Sequence, residues 1–373
     1  MKRFLILTIL LFTLGLTGCI GENAGRRGLI INKLLTPSVI KKGLVELKNT
    51  STKDIELSDY KLTIYKRGEE DNAQDIDLSG KLMPNKTYLI AVSKDQHPDE
   101  IKNQINLEAD DLKRNGHACV AITKKGKIID LIGYMGADSD FSSFATLVRF
   151  KGKDKQRSKF KETDYCYLKK DFFETFTSNQ EYDYEEVLKG PQLNKEKILS
   201  PSMENYNKFV TDIKENNNTT NLIKVSVSSY IDGDTTYFNE LRATIGKNTL
   251  DYNKVRYQGM DTPESQQTQA VRYQPYGKVA SAVTKYLLKN AKTIYTQISG
   301  EGPTVDTFNR ALLLVWADKS FIPFVLIKNG LADFRFDNIG STKIYYNNIS
   351  LYNYCLMASF YAKEKKLNIH SGK

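Results

Sequence analysis

The chain has 373 residues, enough for two or three domains rather than one. It carries 54 Lys and Arg against 44 Asp and Glu, a formal net charge of +10 that suits an anionic partner. Three histidines and four cysteines, with no paired zinc-site spacing, disfavour His-dependent hydrolysis, a Ser-His-Asp hydrolase and a disulfide framework.

In chain order, residues 1–18 read as an export signal. Lys2 and Arg3 open it, and Phe4 to Leu16 is an apolar run too short for a comfortable membrane span. Leu16-Thr17-Gly18-Cys19 looks like a bacterial lipobox. The expectation is cleavage before Cys19, lipidation of its thiol, and an extracytoplasmic protein lipid-anchored to the bacterial cell membrane. A plain secretory signal or an uncleaved anchor is the alternative. Cys119, Cys166 and Cys355 would remain, and of these Cys119 and Cys166 are the pair expected to share a domain.

Residues 27–175 read as a domain of short strands. Apolar and polar residues alternate in 43–49, 57–62, 82–90 and 118–122, and Asn, Asp, Gly and Pro punctuate them, as in an antiparallel sandwich. Through VELKN, IELSDYKL, LMPNKTYLIA, GKIIDLIGY and TDYCYLKKDF the segment resembles a lamin-tail domain. That resemblance implies an immunoglobulin-like β-sandwich serving as a tether or as a binding module for an envelope polymer or nucleic acid. Tyr60 stands where a tryptophan is common in that family. His117 reads as a hairpin-turn residue.

Residues 176–220 mix acids, tyrosines and asparagines and end in a flexible linker at Asn216-Asn217-Asn218-Thr219-Thr220. Beyond them, residues 221–373 hold 19 Lys and Arg against 12 Asp and Glu, so most of the basic surplus lies here. Ile223, Val225 and Val227 begin a strand that leads into an Asp-Gly turn. The spacing predicts a helix over 275–291 with Ala280, Val283, Leu287 and Ala291 on its core face. A short helix before Gly330 and a longer one through Leu351, Cys355, Ala358 and Ala362 follow. Tyr345 and Tyr346 are candidates for base stacking, although packing is the commoner role for a tyrosine.

The chemistry lies in three stretches of this last part: Asp232-Gly233-Asp234-Thr235, Arg256 to Glu264 (RYQGMDTPE) and Asp306 to Arg310 (DTFNR). Carboxylates without histidine suit a hard, oxygen-ligated cation such as Ca²⁺, with Asp234, Asp261 and the Thr262 carbonyl as candidate ligands. Guanidinium groups suit a phosphodiester, because they stay charged and offer paired donors. Arg256 and Asp261 are an odd offset apart, so a straight strand would put them on opposite faces. A bend at Gly259 would bring both to one site. Glu264, held behind Pro263, is a candidate general base. Taken singly, each stretch reads as an ordinary turn, and Asp261-Thr262-Pro263 also reads as a helix start.

The ordered set resembles the thermonuclease (staphylococcal nuclease-like) family. IDGDT, VRYQGMDTPES, PYGKVASAVTKYLLKNAKTI, DTFNRALLLVWAD, IKNGLADF and AKEKKLNIHS carry the resemblance from about residue 223 to 371. It implies a five-stranded OB-fold β-barrel with three helices, and Ca²⁺ held by Asp234, Asp261 and Thr262 with Asp232 behind them. It implies that Arg256 and Arg310 clamp the scissile phosphate while Glu264 positions or deprotonates water. It also implies 5′-O cleavage of DNA or RNA leaving 3′-phosphates. Thr307-Phe308 departs from the family's Lys-Tyr pair, which removes a charge and a hydroxyl. Asn309 stands where glycine is usual, and asparagine tolerates the positive φ. The fold expected overall is mostly β and two-domain, and the default oligomeric state is a monomer. A non-catalytic surface lipoprotein that binds nucleic acid or envelope polymers is the alternative.

Overall fold

The computed structural model describes residues 25–143, 145–193, 222–239, 241–245, 248–267, 274–297, 304–336 and 344–372. The export signal, Cys19 and most of the expected linker lie outside them. Among the described residues the chain is mostly β, and no helix is long and apolar enough to cross a membrane.

Residues 25–193 form two facing sheets. In the larger, Leu29–Leu35 pairs antiparallel with Leu44–Asn49 and Thr146–Arg149. Thr87–Ala91, Ile105–Glu108 and Tyr165–Leu168 complete six strands. The smaller sheet orders Lys127–Ile132, Cys119–Lys124, Lys61–Tyr65 and Ala73–Asp77. Alternation decides which face each side chain takes. Val45, Leu47, Leu62, Ile64, Val120 and Ile122 meet between the sheets, whereas Leu44, Leu89 and Ala91 pack outward under Phe176. Arg149 of the large sheet donates to Asp130 of the small one at 2.6 Å with both side chains buried. The Ile31 amide binds the same carboxylate oxygen at 2.8 Å. A buried ion pair holds only when its remaining hydrogen bonds are satisfied in this way. The expected 57–62 strand begins as a 3-10 turn over Leu57–Asp59 and becomes a strand only at Lys61. Cys119, Cys166 and Cys355 are free and buried.

In the C-terminal part, six strands run in the order Leu222–Val225, Ile294–Gln297, Ala311–Ala317, Lys254–Tyr257, Thr235–Phe238 and Val227–Tyr230. The first and last of these are joined by Ser226 alone, so the sheet curls back on itself. That is the connectivity of a small barrel. Phe238, Val255, Tyr257, Leu313 and Val315 are buried in it.

Among the described residues of this part, three α-helices lie outside the sheet: Gly277–Asn290, Ile322–Lys328 and Leu351–Glu364. The buried stripe of the first is Ala280, Thr284 and Leu288, with Val283 and Leu287 only half-buried. Thr284 takes a core position because its hydroxyl donates to the Gly233 carbonyl at 2.6 Å, a role that apolar periodicity passes over.

The two parts dock. The closing helix Leu351–Glu364 lies on the Tyr165–Leu168 edge, where Asn353 Nδ2 donates to the Leu168 carbonyl at 3.0 Å and the Tyr167 and Phe360 rings are 5.6 Å apart. Lys161 pairs with Glu364 at 2.7 Å. The segment ending at Leu193 crosses over as well: the Leu193 amide donates to the Lys319 carbonyl at 2.8 Å, and Gly190 abuts the Phe324 ring.

Candidate active site

The Asp232-Gly233-Asp234 turn sits at the mouth of the barrel between the Val227–Tyr230 and Thr235–Phe238 strands. Asp234 is buried, and its Oδ2 accepts the Thr262 amide and the Thr262 hydroxyl, each at 2.8 Å. Its Oδ1 accepts the Thr235 hydroxyl at 3.1 Å. Gly233 permits this approach, since a Cβ there would lie 2.8 Å from Thr262 Oγ1.

Arg256 is the register partner of Thr235, and its guanidinium bridges Asp234 Oδ1 and Asp261 Oδ1. The odd offset is resolved at Gly259, whose φ of +95° interrupts the strand between Tyr257 and Gly259–Asp261. Residues 262–265 are irregular rather than helical, so the helix-start reading of this stretch does not hold.

Glu264 follows Pro263 and is braced by Gln274: the Glu264 amide donates to Gln274 Oε1 and the Gln274 amide returns to the Glu264 carbonyl, both at 3.1 Å. Its carboxyl is held above the usual carboxylate range. Burial is the main cause, repulsion from Asp232 and Asp234 and a hydrogen bond to Asp232 add to it, and Arg256 opposes it.

Arg310 closes the other side. Its Nε donates to Asp306 Oδ2 at 2.6 Å, and its Nη1 donates to Thr235 Oγ1 at 3.2 Å. Asp306 also accepts the Phe308 and Arg310 amides at 2.9 Å each. Burial pushes the Asp306 carboxyl up, but the hydrogen bonds from Arg310 outweigh it and leave it below the usual range. Asn309 takes the positive φ expected of it, at +56°. Phe308 is 73% exposed, with the Arg310 guanidinium 5.3 Å from its ring centre.

The candidate site residues Asp232, Asp234, Arg256, Asp261, Thr262, Glu264 and Arg310 therefore belong to one cluster, whereas the two tyrosines lie apart. Tyr345 and Tyr346 form a short strand against Ile349–Ser350, and Tyr346 packs on Tyr354 with ring centres 6.5 Å apart. Thr235, which the sequence offers only as part of the Asp232–Thr235 turn, links Arg310 to Asp234, and Arg335, not singled out there, places its Nη1 2.9 Å from Asp261 Oδ2. The signal for Arg335 was the Phe-Arg-Phe alternation that follows IKNGLAD.

Among the described residues, no group of three or more His, Cys, Asp or Glu side chains converges as a metal-binding set. The oxygen donors that do converge are fewer. Asp234 and Asp261 share one guanidinium, so both carboxylates face one small volume that already accommodates a cation, and Thr262 adjoins it. Oxygen ligands without nitrogen or sulfur fit a hard divalent ion.

Comparison with known proteins bears on the same region. Residues 254–371 match the family described as staphylococcal nuclease homologue. The C-terminal part carries a staphylococcal nuclease-like domain. Thermonuclease of Staphylococcus intermedius is 34% identical over 110 residues, which cover 30% of this chain and 58% of that protein. The chain thus spans little more than half the length of that relative. The matched region of the nuclease-like domain begins at Lys254, after the Asp232–Asp234 turn. The turn is tied to it through the bonds from Thr262 and Arg256 to Asp234.

Proposed function

We propose that the protein is a Ca²⁺-dependent nuclease that hydrolyses phosphodiester bonds of DNA or RNA at the 5′-oxygen, leaving 3′-phosphates. The observation that carries this reading is Arg256 held between Asp234 and Asp261, with Arg310 beside it and the Glu264 carboxyl facing Asp232 and Asp234 in the same cluster. Asp234, Asp261 and the Thr262 carbonyl would hold the cation, with Asp232 behind them. When bound, it supplies positive charge to the phosphate and orients water. Arg256 and Arg310 bind the phosphate oxygens and stabilise the charge that builds on them during attack. Glu264 accepts the proton of the attacking water as the new P–O bond forms. The 5′-oxygen departs with the bonding pair, and the phosphate stays on the 3′ side.

In this reading, residues 27–175 are a lamin-tail-like, immunoglobulin-like sandwich that tethers the enzyme or binds an envelope polymer or nucleic acid. Cys19 carries a lipid anchor to the outer face of the membrane, and the working unit is a monomer. Glu264→Gln is expected to lower kcat by about 10²- to 10⁴-fold. Arg310→Ala is expected to cost about 10²- to 10³-fold. Circular dichroism should report an unchanged fold in both variants. Full turnover in either one rejects the role assigned to that residue.

A further inference from the structure

Arg335 lies in the strand Asp333–Arg335, antiparallel to Gly259–Asp261, with Gly259 opposite Arg335 and Asp261 opposite Asp333. Strand alternation sends its neighbours the other way. Phe334 and Phe336 both pack edge-on against Tyr352, with ring centres 5.0 and 5.2 Å away. Gly259 leaves room for Phe336, since a Cβ there would lie 2.3 Å from its ring. The aromatic side fixes the ribbon and leaves the Arg335 side chain 62% exposed, reaching diagonally to Asp261 Oδ2 at 2.9 Å.

Asp261 therefore carries a guanidinium on each oxygen: Arg256 on Oδ1 and Arg335 on Oδ2. The second pairing adds little stability, because an exposed ion pair contributes about 0–1 kcal/mol. It is also readily given up when Asp261 is engaged by another cation. A planar, permanently charged donor at the rim of a phosphate site is suited to bidentate contact with a further phosphate.

We propose that Arg335 is a substrate-anchoring residue, which exchanges its pairing with Asp261 for a phosphate next to the scissile one when nucleic acid is bound. The assignment rests on the nuclease reading of the site. It also gives the domain an anchoring charge outside the Asp306–Arg310 turn, which has Thr307 and Phe308 where a cationic contact is otherwise expected.

The test is equilibrium binding of a short single-stranded DNA to the full chain carrying Glu264→Gln, with and without Arg335→Gln, across a range of salt. With Ca²⁺ present, Arg335→Gln should reduce the slope of log K against log salt by about 0.7, the contribution of one phosphate contact on a single strand. The melting temperature should be unchanged, as befits an exposed side chain. In chains with Glu264 intact, Arg335→Gln should raise KM severalfold while kcat stays within twofold. Equal slopes overturn the proposal. If the unsubstituted chain does not cleave DNA at all, the nuclease reading falls, and the slopes still decide whether Arg335 touches phosphate.

Discussion

Thr262 shows how much one side chain settles at this site. Its amide and hydroxyl both end on Asp234 Oδ2, which fixes the buried carboxylate while Oδ1 faces Arg256. Thr262→Val keeps the shape and the amide bond but removes the hydroxyl donor. It should lower stability by about 1 kcal/mol, measured by urea unfolding, and reduce kcat more than it raises KM. Asp306 gives a pH prediction. Its folded carboxyl is held below the unfolded value by Arg310, so its stabilising contribution is present above the unfolded pKa and is lost as pH falls through the folded one. Asp306→Asn should therefore be the less stable chain at neutral pH, and the two unfolding curves should converge as pH falls below the ordinary aspartate pKa of about 3.9 and through the lower folded one. Charged residues of this kind are legible in sequence because few other roles explain carboxylates and arginines clustered in turns. Thr284 was not legible, and Arg335 was marked only by the Phe-Arg-Phe alternation, because each acts across a helix–turn contact or a strand register that only the folded chain creates.

At the scale of elements, the site depends on one interruption and one close approach. Gly259, at φ +95°, turns the chain so that Arg256 and Asp261 share a side. The odd offset foretold this bend, although it did not reveal that Phe336 fills the space beside it. Gly259→Ala meets both the strained φ and the Phe336 ring. It should lower stability by about 1–3 kcal/mol and separate Arg256 from Asp261, seen as a loss of kcat larger than the shift in melting temperature would suggest. Gly277 opens the first long helix against the Glu264 backbone, where an added Cβ would lie 2.2 Å from the Glu264 carbonyl oxygen. Gly277→Ala should displace Glu264 while leaving binding of nucleic acid intact, so kcat falls and KM holds. The register of this helix was read one residue off because Thr284 is buried for its hydroxyl rather than for apolar character.

Across the whole molecule, the sandwich and the nuclease-like domain share an interface rather than hanging on a free tether. A cavity of about 180 Å³ lies between them, lined by Tyr134, Phe141, Tyr167, Tyr352, Asn353 and Phe360 among others. Tyr352, which lines this cavity from the closing helix, also supports Phe334 and Phe336 of the ribbon that carries Arg335 and Asp261. The alternating strands and the helix spacing made both halves readable. The interface was not, because Tyr167 and Phe360 look locally like ordinary core residues and their pairing spans the chain. The full chain should melt in a single transition. A fragment of residues 221–373 should melt lower and bind a hydrophobic dye through its uncovered closing helix, and two independent transitions in the full chain would contradict a shared interface. The most direct test of the account is digestion by the full chain of denatured DNA and of RNA, in Ca²⁺ or in chelator, beside Glu264→Gln. Ca²⁺-dependent release of short fragments ending in 3′-phosphates is expected, absent in chelator and in the variant. Tight binding without cleavage under any divalent metal would contradict it.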